Sequence, residues 1–97
     1  MAITDSRFVT GDHLQWTDTG GEVIVADLKS ELIFGMDEVA LSIWKGLVEG
    51  HNVGEIVESV AIEYDAPRDR IEQDVEKFVQ QLVDRGWLTE LKTAAIA

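Results

Sequence analysis

The feature that most constrains this chain is a change of hydrophobic period within Leu32-Ile-Phe-Gly-Met-Asp-Glu-Val-Ala-Leu-Ser-Ile-Trp44. Before it, apolar residues come in short runs separated by turn signals; after it, they recur at helical spacing as far as Leu88. A period of two suits strands and a period of 3.6 suits helices. A small sheet should therefore come first and a helical layer second.

On the strand side, His13–Thr17 alternates, with Leu14 and Trp16 on one face. Asp18-Thr-Gly-Gly21 then reads as a turn with two residues free to take positive φ. Glu22–Asp27 is rich in β-branched residues and reads as a second strand. Leu28-Lys-Ser30 is a tight connection, and Glu31–Phe34 is a third strand ended by Gly35. Three strands with short connections predict an antiparallel meander. The second and third are apolar on both faces: Val23 and Val25 oppose Ile24 and Ala26, and Leu32 and Phe34 oppose Ile33. A sheet covered on one side only should alternate cleanly.

On the helix side, Asp37 is a good N-cap for 38–49, whose stripe of Ala40, Leu41, Ile43, Trp44, Leu47 and Val48 is broad enough for a well-buried helix. Trp44 reads as core. Gly50 closes this helix, and Asn52 with Glu55 forms a capping-box pattern for the next, whose apolar face is Ile56, Val57, Val60, Ala61 and Tyr64. Pro67 suits the first position of a third helix. From there to Arg85, the residues Ile71, Val75, Phe78, Val79, Leu82 and Val83 give the clearest 3.6 periodicity in the chain, and Gly86 suits the position after its end. Trp87 and Leu88 fold back as a short extended piece. Residues 1 to about 11 read as extended or frayed, and 89–97 as a mobile tail. The predicted class is α+β, winged helix-turn-helix-like, with a three-stranded antiparallel sheet followed by three helices. A single domain spans 1–97 with its core at about 13–88.

Composition narrows the function. Ninety-seven residues can bury one modest core. A net charge of −11, with eight Lys and Arg against nineteen Asp and Glu, repels phosphate backbones and argues against nucleic acid. The absence of cysteine excludes disulfide and thiolate chemistry and fits a cytoplasmic protein. No apolar run approaches the ~18 residues of a membrane span, and Met1–Arg7 lacks the pattern of a signal peptide. His13 and His51 have no partner at metal-ligand spacing, and there is no phosphate loop or nucleophile elbow. Neither an enzyme nor a cofactor is expected.

Several residues in order carry a family resemblance: Leu32-x-Phe-x-Met36 entering the helix, Ile43-Trp44, Gly50 and a polar turn, Glu55-Ile-Val57, Tyr64, Asp74-Val75, Phe78-Val79, Leu82 and Gly86-Trp-Leu88. The set, running from about Val23 to Leu88, resembles the PqqD family. Met36-Asp37 stands where the family usually has Leu-Asn, and the family's N-terminal proline region is missing. These departures point to a relative rather than to pyrroloquinoline quinone synthesis itself. The resemblance implies a protein that binds the leader of a ribosomally made precursor peptide and presents it to a leader peptidase or modifying enzyme, most like the small standalone members of lasso-peptide pathways. It also implies that the leader adds as an extra strand, with side chains entering a groove between the third strand and the last helix.

The residues themselves allow the same mode. A third strand that ends a meander leaves an edge open to β-augmentation. Beside Glu31, Leu32, Ile33 and Phe34, pockets lined by Leu32, Phe34, Val75, Phe78 and Leu82 would take an aromatic residue or proline. Asp74, Lys77 and Gln81 fall on one side of the last helix and would set specificity. Some of Val75, Phe78, Val79 and Leu82 must be core, so only a boundary subset faces a groove. Two other readings share the silhouette. A winged-helix DNA-binding regulator needs a basic recognition helix, whereas here Arg68, Arg70, Lys77 and Arg85 are outnumbered by Asp69, Glu72, Asp74, Glu76 and Asp84. A homodimeric structural module would pair two copies through the third strand.

Overall fold

A computed structural model describes residues 6–91. Its elements run β1 (Arg7–Thr10), β2 (Leu14–Asp18), β3 (Val23–Asp27), β4 (Leu32–Met36), α1 (Glu38–Val48), α2 (Val53–Tyr64), α3 (Arg68–Asp84) and β5 (Leu88–Leu91). The expected meander is present as an antiparallel sheet of order β2-β3-β4, and the three helices follow it.

Local chemistry explains the boundaries. Asp18 Oδ1 accepts from the N–H groups of Gly20 (2.8 Å) and Gly21 (3.3 Å), and these glycines take φ of 97° and 143° to reverse the chain. Asp37 caps α1 by accepting from the Ala40 N–H at 2.9 Å. Asn52 and Glu55 form a reciprocal capping box on α2 at 2.8 and 2.9 Å. That backbone hydrogen bond from Asn52 is the chief reason the Glu55 carboxyl sits below its ordinary pKa. Pro67 is the residue before α3 rather than its first residue. Gly86, at φ 79°, turns the chain from α3 toward β5.

The structure departs from the sequence-based expectation in four further places. Residues 7–10 form a strand, antiparallel to β5. Thr89–Leu91 belong to that pair instead of a tail; 92–97 lie outside the described residues. Gly35 continues β4 rather than ending it. Glu31 precedes β4, in a turn at φ 62°, where its N–H donates to the Asp27 carbonyl at 2.8 Å.

The core lies between the inner face of the sheet and the helices. Val23 and Val25 project into it from β3, and it includes Trp44 and Leu47 of α1, Val57 and Val60 of α2, and Val75 and Val79 of α3. Each such side chain contributes about 1.5–3 kcal/mol by leaving water. A line of aromatic rings runs through this layer in edge-on contacts: Trp16 on Trp44 at 6.3 Å, Trp44 on Trp87 at 6.1 Å, and Trp87 on Phe34 at 5.0 Å. It ties β2, α1, the turn after α3 and β4 together.

Candidate functional site

Phe34 brings this aromatic line to the edge of the sheet. β4 is Leu32-Ile-Phe-Gly-Met36, and its far edge has no strand partner among the described residues. Natural edge strands are usually blunted by charge, proline or a bulge. This one has no charged residue and no proline, and its register against β3 is unbroken from Asp27↔Leu32 to Val23↔Met36. Leu32 is 54% exposed and Ile33 73% exposed.

The backbone groups that face this edge follow from one hydrogen bond. Leu28 N–H donates to the His13 carbonyl at 2.9 Å, so residue 28 faces β2. Successive strand residues turn their backbone groups to opposite edges. Asp27, Val25 and Val23 therefore face β4, and their partners Leu32, Phe34 and Met36 face back toward β3. Ile33 and Gly35 are left with N–H and C=O directed at the open edge. Side chains alternate the other way: Leu32, Phe34 and Met36 share the inner face of Val25 and Val23, while Ile33 lies with Ala26 on the outer face. The opposite edge, β2, is partly closed. Its outward Leu14 N–H is taken by the Gly11 carbonyl at 3.2 Å. Lys45 Nζ donates to Asp18 Oδ2 at 2.7 Å, which lowers the Asp18 pKa.

β4 is anchored where it leaves the turn. Asp27, nearly buried, accepts from Trp87 Nε1 at 2.9 Å on one oxygen and from the N–H groups of Lys29 (2.9 Å) and Ser30 (3.2 Å) on the other. Burial alone would push this carboxyl up; the donated hydrogen bonds, Trp87 foremost, more than offset that and hold it below its ordinary value. The β3–β4 turn is thereby tied to Trp87, in the turn between α3 and β5.

Of the residues singled out in the sequence, Leu32, Ile33 and Phe34 lie on this edge, Phe34 half-buried. Glu31 is exposed in the preceding turn. On α3, Asp74, Lys77 and Gln81 are exposed and Phe78 is half-buried against the core. Val75 and Leu82 are 0% and 3% exposed, so of that apolar row only Phe78 presents surface. Arg85 was not singled out as a site residue. Its guanidinium carbon lies 4.6 Å from the Phe34 ring centre and 5.8 Å from that of Trp87. Sequence spacing does not reveal this contact, because Arg85 caps the end of α3 with its N–H on the Gln81 carbonyl, and which ring lies beneath it is set by tertiary packing against β4. Among the described residues there is no group of three or more side chains suited to hold a metal ion, and no helix is long and apolar enough to cross a membrane.

Residues 22–88 match the family described as Coenzyme PQQ synthesis protein D (PqqD). A curated PqqA binding protein of Bradyrhizobium diazoefficiens is 34% identical over 65 residues, covering 67% of this chain and 63% of that protein. The chain thus spans less than two thirds of that relative's length. Among solved structures, TbiB1 in complex with the TbiA(beta) leader peptide superposes with a TM-score of 0.78 at 28% identity, covering 92% of this chain and 98% of that one. A lasso peptide synthetase B1 complexed with the leader peptide gives the same TM-score at 20% identity, covering 86% and 98%, and shares the fold.

Proposed function

Because the chain belongs to the PqqD family, we propose that it is a non-catalytic recognition module for the leader region of a ribosomally made precursor peptide, acting by strand addition to β4. The observation that carries this reading is the unguarded edge, where Ile33 and Gly35 offer paired backbone donors and acceptors beside the apolar side chains of Leu32 and Phe34. Main-chain hydrogen bonds would set the register, and alternate leader side chains would enter the space between β4 and α3, bounded by Phe34, Phe78 and the exposed Asp74, Lys77 and Gln81. Val75 and Leu82 serve this site as its packed floor. The bound leader would then be presented to a leader peptidase or modifying enzyme in the cytoplasm. The likeness to leader-bound structures supports a place in lasso-peptide biosynthesis.

The test is calorimetric titration of the protein with pairs of synthetic peptides, the leader half and the product half of each short precursor found encoded near its gene. The leader half should bind with micromolar or tighter affinity, and the product half should not. Failure of every such leader to bind would overturn the reading. A DNA-binding role is disfavoured by α3, which carries five carboxylates against three basic residues within Arg68–Asp84.

A further inference from the structure

Three of the described cations sit beside carboxylates: Arg7 beside Glu55, Lys45 beside Asp18 and Arg68 beside Glu58. Arg85, like Lys29, Arg70 and Lys77, has no carboxylate within ion-pair distance among the described residues. What sets it apart from those three is that its guanidinium lies over the rings of Phe34 and Trp87. No side-chain hydrogen bond among the described residues engages its N–H donors, so they remain available for a bidentate carboxylate contact. The aromatic pair below also limits the rotamers it can take, so less freedom is lost when it binds.

Its position relative to the open edge gives these donors a target. A strand added to β4 hydrogen-bonds to Ile33 and Gly35, and the residue between those two contacts lies opposite Phe34 with its side chain on the same inner face. Directly opposed residues have Cβ atoms about 4.5–5.5 Å apart, which places that side chain beside the ring on which Arg85 rests. We infer that Arg85 is a specificity-determining residue, which selects leaders carrying Asp or Glu at the strand position facing Phe34. This rests on the leader-binding reading above and names the chemistry its site prefers. It also accounts for how so acidic a protein can accept an acidic segment: a cation lies over the edge residue Phe34, and no carboxylate of the described residues is within ion-pair distance of it.

The experiment is a double-mutant cycle by fluorescence anisotropy, using a synthetic leader that binds in the titration above and its single Asp→Asn and Glu→Gln variants against wild-type protein and R85Q. One acidic position should weaken binding to wild type by about ten- to a hundredfold when neutralised, the span expected of a hydrogen-bonded charge pair. The same change should have little effect in R85Q, and R85K should recover part of the loss. Circular dichroism of R85Q should match wild type, since the side chain is exposed. If the leader binds but neutralising every acid costs R85Q as much as wild type, the inference is wrong while leader binding stands. If R85Q binds more tightly, Arg85 is a cover over Phe34 and not a reader of carboxylates, which also overturns it. If no leader binds the wild type, both readings fall together.

Discussion

Replacing Ile33 with proline separates the backbone of β4 from its side chains. Proline removes one N–H, and at position 33 that N–H points away from β3, so the β3–β4 ladder keeps its bonds. Edge strands tolerate proline when the missing donor faces outward, and Leu32 before it is already extended, as a residue preceding proline must be. The lost side chain is 73% exposed, so little burial is forfeited. The fold should survive with a melting temperature close to wild type. Leader binding should not survive as well. The leader carbonyl that would meet this N–H becomes a sealed acceptor without a donor, at a cost of about 1–3 kcal/mol. That weakens affinity by about fivefold to a hundredfold. Ile33→Ala keeps the N–H and measures the side chain alone, and it should cost less. Phe34→Pro is the converse control: its N–H faces β3, so the substitution should unfold the sheet. The assay is anisotropy titration with the leader peptide, after circular dichroism has shown each variant folded. A folded Ile33→Pro that binds as tightly as Ile33→Ala would refute strand addition at this edge.

Other perturbations test the scaffold. Asn52→Ala removes the cap of α2 and should destabilise the protein by about 1 kcal/mol in urea titration, without altering leader affinity in the folded fraction. Gly46→Ala should cost about 1–3 kcal/mol, because a Cβ there would come within 2.7 Å of Ile56 Cγ1 where α1 crosses α2. Trp87→Phe removes the indole donor from Asp27. Asp27 titrates below its ordinary 3.8 in the folded protein, so the stability it contributes is complete above that value and is lost as pH falls through the lower folded value. In the variant its folded pKa should rise and acid unfolding should begin at higher pH, as read by carboxyl NMR and by denaturation at successive pH values.

Much of the scaffold was legible in the sequence because its signals are local. Asp37 and the Asn52–Glu55 pair mark helix starts by side-chain chemistry alone, and the 3.6 spacing from Ile71 to Val83 marks α3. The β1–β5 pair was not legible. Arg7–Thr10 and Leu88–Leu91 are four-residue strands of mixed polarity whose partners lie about eighty positions apart, and nothing local specifies such a contact. Glu31 reads as a strand residue, but it ends a turn that Asp27 organises through its carboxylate. Periodicity puts Val75, Phe78 and Leu82 on one face of α3 and cannot say which keeps exposed surface; only the packing of that helix against its neighbours, α2 and β5 among them, decides it. Arg85 is not legible as part of the site because its contact with Phe34 joins the end of α3 to a strand about fifty residues earlier.

The central claim concerns two amides, and hydrogen exchange measured by NMR reports on them individually. In the free protein the N–H groups of Ile33 and Gly35 should exchange rapidly, while those of Leu32, Phe34 and Met36 are held by β3. Saturation with the leader peptide should slow Ile33 and Gly35 selectively. Protection appearing at the β2 edge instead, or bound leader with Ile33 and Gly35 still exchanging freely, would contradict the account.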